Sequence, residues 1–470
     1  MSAAPLLIIP VESQVREMDA KLLFACCAVE RGYRVVIGSR AFVHYAMAEL
    51  PRGVYVAKSM RALSSLMFRL IRQLGHDIVA WEEEALVHPP PEVFYPLRLS
   101  PGTMPYVSHI FAWGEDNRAL LAGYPHLPQG LPIHLTGNPR GDMLRPELRA
   151  YFDEDVQALR RQYGDFLLVN TNFTDCNPFR PELGLFAPSK DPSQPPPMGQ
   201  AGKGMPRAFA EGLLRHKQAI LDDFLEMLPA LERALPGVAL VLRPHPSESH
   251  DVYRQLAARC SRLHVLHQGN VLPWLLASRA LVHNGCTTAI ESYAMGVPAL
   301  AYLKTFDARY DLDFQGLPNR LSLQCRSLDE LIARLGGILD GGAGGGEAAT
   351  ATAERDRLIG GYITARDGRL ACERILDTLD PLYRHRNGLP RVSRPTRWRA
   401  ALQVRARALL KKRKQRGPGN YHDHRFPRMS TEDVARRIER LGRTLGRFGS
   451  VGVRMHSEHL FEVFARGQTP

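Results

Sequence analysis

No run of about eighteen apolar residues occurs anywhere in this chain of 470 residues, so no helical membrane span is expected. Its seven cysteines (Cys26, Cys27, Cys176, Cys260, Cys286, Cys325 and Cys372) are odd in number and never spaced as CxxC. That spacing excludes a zinc-ribbon pattern and fits a reducing cytoplasm better than a disulfide framework. The opening MSAAPLLIIPVES lacks a basic n-region, and its short apolar run reads as a first strand rather than a secretory signal. No GxGxxG follows that strand, which weighs against a nicotinamide or flavin site. Acids are missing from one long stretch, 384–416, which holds thirteen Lys and Arg. Those thirteen equal the formal net charge of +13, so the rest of the chain is close to neutral. The basicity therefore describes one segment's partner and not the body of the protein.

What is present is alternation. Apolar runs at Leu6–Pro10, Tyr33–Ile37, Asp77–Ala80, His109–Trp113 and Pro132–Thr136 read as buried parallel strands separated by helical patterns. A second series starts at Phe166–Val169 and continues through Val238–Leu242, His264–Leu266, Ala280–Val282 and Pro298–Tyr302. Between them, Asp175–Gly204 is too rich in Pro, Gly and Ser to be regular and reads as a long mobile loop. The expected fold class is α/β, with two Rossmann-like doubly wound domains facing a cleft and a basic helical C-terminal tail. Boundaries are expected at 1–150, 160–380 and 384–470, with a helix over Ala351–Leu379 and a capped helix over Val434–Leu445.

The organising stretch is Val238–Tyr302. Its first strand delivers Arg243, His245 and Pro246 to a carboxyl edge, where open α/β sheets bind ligands. Its later strand runs into His283-Asn284-Gly285-Cys286-Thr287-Thr288, a Gly-hydroxyl turn opening a helix that carries Glu291. Free backbone N–H groups, two hydroxyls and the helix dipole make such a turn an anion cradle. Asn170 and Asn172 end another strand of the same sheet and are candidates for holding a donor. In the first half, Glu82, Glu83 and Glu84 follow an apolar strand and suit acid/base work, with Glu115-Asp116 as the competing pair.

Together LIIPVESQVREMDAKLL, WEEEAL, FAWGED, TGNPRGD, LRPHP and HNGCTTAIESYAMGVP resemble bacterial surface-carbohydrate biosynthesis proteins. These are glycosyltransferases of the two-Rossmann (GT-B) type, similar to bacterial β-Kdo transferases and sialyltransferases. The resemblance runs to about Leu379. It matches the family's His-Pro motif to His245-Pro246 and its Ser/Thr motif to Thr287-Thr288. Its acid-acid-Gly motif falls on Glu83-Glu84-Ala85, with alanine in place of glycine.

The resemblance implies a nucleotide-sugar donor, a CMP-activated acidic sugar such as Kdo, and a glycan or lipid-linked acceptor of a surface polysaccharide. On it, Glu83 or Glu84 and His245 are catalytic. It also gives Pro246, Thr287 and Thr288 to the donor; placement at strand ends and in the turn adds Arg243, His283, Gly285, Glu291, Asn170 and Asn172 as expected donor-binding residues, and Glu12 and Arg16 on the first loop are expected to meet the acceptor. No metal and no cofactor beyond the donor are expected. Whether the carboxylate is base or nucleophile stays open, as does which of the three glutamates it is. Trp398, Leu402, Leu409 and Leu410 interleave with cations in the basic segment, so 391–416 is expected to meet an anionic membrane surface from the cytoplasm. No specific nucleic acid is expected. Rival readings are a CDP-glycerol-type polyol-phosphate transferase, a UDP-sugar epimerase, and a non-catalytic nucleic-acid-binding protein acting through its basic segment.

Overall fold

A computed structural model describes residues 4–189, 191, 193–311, 316–341, 349–384, 388–414 and 425–467. Residues 342–348 and the end of the basic segment at 415–416 lie outside the described residues. The chain folds as two compact units, one made of Met1–Tyr151 with Gly360–Pro470 and the other of Phe152–Ile359.

The first unit is built on an eight-stranded sheet. Its parallel part comprises β1 (Leu6–Val11), β2 (Arg34–Ser39), β3 (Val54–Ala57), β4 (Asp77–Trp81), β5 (His109–Ala112) and β6 (Ile133–Leu135), in the order β2-β1-β3-β4-β5-β6. All six residues of β1 are buried, as the continuous apolar run of a strand covered on both faces requires. Helices α1 (Gln14–Glu30), α2 (Arg40–Ala46) and α3 (Ser65–Gln73) connect the early strands.

The second unit has a six-stranded, all-parallel sheet. It holds β7 (Phe166–Asn170), β8 (Ala239–Arg243), β9 (Leu263–Val265), β10 (Ala280–His283), β11 (Ala299–Tyr302) and β12 (Leu323–Cys325), in the order β12-β11-β10-β7-β8-β9. Its core clusters Leu167, Val169, Leu240, Leu242 and Val282 against Phe224, Met227 and Leu231 of the helix Arg207–Ala234. Each such fully buried aliphatic side chain contributes about 1.5–3 kcal/mol. The loop 175–204 is irregular, as its composition predicts.

The division of the chain departs from the expected boundaries after residue 359. The expected helix Ala351–Leu379 is two helices, Ala349–Tyr362 and Ala371–Tyr383. The second belongs to the first unit, packing on α1 with Cys372, Ile375, Leu376 and Leu379 buried. Both Asp142 carboxylate oxygens fix its start, accepting the N–H groups of Ala371 and Cys372 at 2.7 and 2.9 Å.

The final segment is also no separate tail. The basic helix Arg394–Lys414 docks on α2 and α3 through Ala400 and Val404. A C-terminal hairpin, β13 (Val451–Ser457) and β14 (Leu460–Ala465), pairs antiparallel with β2 and completes the first sheet. Glu462 of β14 is buried between Arg34 and Arg454. Four consecutive residues of β14, Leu460–Val463, are buried, as befits a strand lying between β13 and β2.

Candidate functional site

In the second unit, β8 and β10 flank β7, and the register aligns Asn170 with both Arg243 and His283. Three of the expected donor residues thus end three adjacent strands at one carboxyl edge. From there the Asn170 amide donates to Thr288 Oγ1 at 2.9 Å, tying β7 to the turn after β10. Gly285 in that turn has φ +63°, a left-handed conformation that glycine adopts without cost, and its N–H donates to Asn319 Oδ1 at 2.8 Å. Thr287 is exposed at the head of the helix Thr288–Ala294, and its hydroxyl caps no backbone N–H there. Glu291 is half-buried on the same helix. With seven residues that helix has a short dipole, so the turn's hydroxyls weigh more than expected in any anion binding.

His245 and Pro246 are exposed on the loop after β8. His245 Nδ1 accepts the Ser247 N–H at 3.2 Å, which places the proton of the neutral ring on Nε2. Beneath it lies Glu248, a residue the sequence reading did not single out. Its buried carboxylate accepts the His245 N–H at 3.0 Å, the Tyr253 hydroxyl at 2.6 Å and the Thr171 hydroxyl at 3.0 Å. Burial pushes its pKa up against those hydrogen bonds. This acid sets the loop that presents His245.

Two expected donor residues take other roles. His283 is fully buried under the turn: its Nδ1 accepts the Cys286 N–H at 3.4 Å and its Nε2 donates to Ser322 Oγ at 2.8 Å. Burial drives its pKa down to about 3, so the ring is a neutral support for the turn. Arg243 stacks over Trp274 and donates to the carbonyls of Gln268 and Gly269 at 2.7 and 3.1 Å. Burial lowers its pKa to about 10. Its guanidinium anchors a neighbouring loop rather than reaching out from the sheet edge. Asn172 is exposed beyond the end of β7.

In the first unit the acidic triplet separates by burial. The Glu82 and Glu83 side chains are 0% and 1% exposed, whereas that of Glu84 is 40% exposed. Glu82 pairs with Arg98, and burial raises its pKa. Glu83 accepts the Trp81 indole N–H at 2.8 Å and lies 3.7 Å from Lys21 Nζ. Glu84 forms two hydrogen bonds with Arg16, at 2.7 and 2.9 Å. Burial alone would raise the Glu84 pKa, but Arg16, Arg140 and Lys58 outweigh it and hold it at about 2.

Of Glu83 and Glu84, the two acids expected to be reactive, the interior encloses Glu83 and Glu84 reaches solvent. Ala85 needs no positive φ; among the described residues only Ala365, Phe448 and His459 adopt one without being glycine. Of the competing pair, Glu115 bonds Arg118 and Asp116 bonds His88.

Glu12 is bound by Lys58 at 2.8 Å and Arg425 at 2.6 Å, and its pKa is lowered because these cations outweigh burial. Lys58 also reaches buried Glu17 at 3.2 Å, which Lys21 bonds at 2.7 Å. A cavity of about 300 Å³ opens here, with Glu12, Glu84, Lys58 and the basic helix in its wall. Arg140 of the TGNPRGD stretch donates to the Glu83 carbonyl at 3.3 Å. The i,i+4 spacing of Glu17 and Lys21 on α1 is the local sequence signal of their pair. Among the described residues no cluster of three or more His, Cys, Asp or Glu could hold a metal ion.

No protein-family profile and no curated protein sequence matches the chain. Solved structures do. A UDP-N-acetylglucosamine 2-epimerase superposes with a TM-score of 0.51 at 11% identity, covering 84% of this chain and 100% of that one. A putative UDP-N-acetylglucosamine 2-epimerase from Listeria monocytogenes gives a TM-score of 0.47 at 15% identity, covering 84% and 100%. The wall teichoic acid polymerase TagF gives 0.41 at 11% identity, covering 80% and 89%. At these identities the likeness, carried by the first, is one of fold: two Rossmann-like α/β domains of the GT-B type.

Proposed function

We propose that this protein acts on a nucleotide sugar held by its second unit and transfers the sugar to a glycan or lipid-linked acceptor. The observation that carries the reading is the sheet edge where Asn170 bonds Thr288 beside the left-handed Gly285 turn and the exposed Thr287. With the Gly285 and Cys286 N–H groups given to Asn319 and His283, it is the exposed Thr287 hydroxyl and the helix head beside it, at a switch in strand order, that suit a donor's phosphate. In the transfer, the bond from the anomeric carbon to the phosphate oxygen breaks and a bond to the acceptor oxygen forms. The turn and His245 Nε2 stabilise the departing phosphate. Glu84, the glutamate of the triplet that reaches solvent, takes the role of base or nucleophile that the motif resemblance gives to this triplet. The same resemblance makes a CMP-activated acidic sugar the preferred donor. The outer face of the basic helix, with Trp398, Leu402 and Leu409 exposed among arginines, supports docking on an anionic membrane surface.

A second reading, epimerisation of a UDP-sugar, is favoured by the likeness in fold to a UDP-N-acetylglucosamine 2-epimerase. It needs no acceptor site, whereas the first unit has a cavity of its own. Turnover of CMP-Kdo, CDP-glycerol and UDP-GlcNAc decides between them, using wild type, His245→Ala and Glu84→Gln. Transfer predicts consumption of one donor, slowed about 10²-fold or more in both variants. Equal rates in all three proteins would remove the site, and interconversion of UDP-GlcNAc without an acceptor would establish epimerisation.

A further inference from the structure

Charge around the first unit's cavity does not balance. Glu12 and Glu84 are the acids in its wall, and both are engaged: Glu12 with Lys58 and Arg425, Glu84 with Arg16. Arg98, also in the wall, is matched by Glu82. Arg40 in the same wall lies 3.7 Å from Glu12, which leaves Arg61, Arg407 and Lys411. Among the described residues no carboxylate lies within ion-pair distance of any of them; Arg61 donates instead to the Leu97 carbonyl at 3.1 Å. Arg407 and Lys411 are one turn apart on the basic helix, on the face that Val404 and Ala408 bury. Packing of that helix through Val404 and Ala408 therefore brings two cations to the cavity wall, Arg407 half-buried and Lys411 exposed, and Arg61 is exposed in the same wall. Their mutual repulsion, after burial, lowers the Lys411 pKa, and burial with Arg40, Lys411 and Arg407 drives His44 in the same wall down to about 3.

We infer that this cavity binds a phosphate-bearing group carrying two or more negative charges. A monoanionic carboxylate would leave two of the three cations unmatched, whereas a phosphate monoester or diphosphate offers the charge and several acceptor oxygens. A volume of about 300 Å³ admits such a group with an attached sugar. The group could be carried by a soluble phosphorylated glycan or by a lipid headgroup, and the chemistry is shared. As the identity of an acceptor the assignment rests on the transfer reading; as a binding site it does not.

The test is calorimetric titration of the full chain with pyrophosphate at physiological salt. Wild type should show a saturable site that Arg407→Ala/Lys411→Ala weakens at least tenfold. Arg61→Ala, from a different element, should weaken the same site. Arg399→Ala/Arg405→Ala, at exposed positions of the same helix, should leave it unchanged. Flotation with phosphatidic acid vesicles, whose headgroup is a phosphate monoester, and with phosphatidylcholine vesicles then separates the sources. Pyrophosphate that displaces the protein from phosphatidic acid identifies a headgroup, and pyrophosphate binding without displacement identifies a soluble ligand. No saturable pyrophosphate site, or equal weakening by both double variants, overturns the inference. Donor turnover measured on the same variants reads the transfer proposal separately, since none of these residues lies in the second unit.

Discussion

Arg16 grips Glu84 through two hydrogen bonds, at 2.7 and 2.9 Å, and both side chains remain 40% exposed. The pair holds one carboxylate of the triplet ionised and at the surface while its two neighbours are enclosed. An exposed pair of this kind contributes about 0–1 kcal/mol to stability. Arg16→Ala should therefore leave the melting temperature within a few degrees of wild type, and the Glu84 pKa should rise from about 2 towards about 4.3. Carbon-detected NMR titration of Glu84 reads the shift directly; an unmoved pKa would show that Arg16 is not its main partner.

Gly285→Ala tests the turn. A Cβ at this position meets nothing within 4 Å, so the substitution adds backbone strain alone. A φ of +63° should cost about 1–2 kcal/mol in alanine, measured by urea denaturation. Nucleotide affinity should fall in parallel, because the strain moves the Thr287 hydroxyl and helix head proposed to meet the phosphate. Full stability with full affinity would mean that the turn relaxes freely and plays no part in binding.

Buried histidines set a pH dependence with a definite sign. His283 and His44 have folded pKa values of about 3, and His76 about 4, all depressed first by burial. Between these values and the unfolded pKa of about 6.5 the unfolded chain binds more protons, so stability falls as pH drops through that window. At pH 5 each such histidine withdraws about 2 kcal/mol relative to pH 7 or above. Urea unfolding at pH 7 and pH 5 should show the loss, and His283→Asn should reduce it by about one histidine's share. A variant as acid-sensitive as wild type would place the effect elsewhere.

The two faces of the basic helix should respond oppositely to substitution. Val404 is 2% exposed and packs into the core, so Val404→Ala should cost about 2 kcal/mol. Trp398 is 66% exposed, and Trp398→Ala should change stability by less than about 0.5 kcal/mol. On the membrane proposal, Trp398→Ala should nonetheless weaken binding to phosphatidylglycerol vesicles. Undiminished vesicle binding would detach the outer face from that role.

Much of the architecture was legible from local pattern, because a parallel strand buried on both faces writes itself as a short apolar run. β1, β4, β7, β8 and β10 fall where those runs stand, and the polar residues after them mark the carboxyl edges. Gly285 and Asn170 were legible for the same reason. Hidden from sequence was everything set by burial among like residues. Three consecutive glutamates look equivalent on paper, and the interior separates them into two enclosed and one exposed. His283 and Arg243 read as ligands, and the fold uses them as supports, because a polar group at a strand end can point down into packing as readily as outward.

By itself the sequence determined two series of parallel strands, the sheet edge that ends in Asn170, and a basic segment balanced by no acid, since each rests on periodicity or composition along a few residues. Tertiary structure alone decided that Glu84 faces solvent, that Glu248 seats His245, that the hairpin Val451–Ala465 completes the first sheet, and that the basic helix lines the cavity of the first unit. Those outcomes depend on which distant segments exclude water from one another, and contacts across hundreds of residues leave no local mark in the chain.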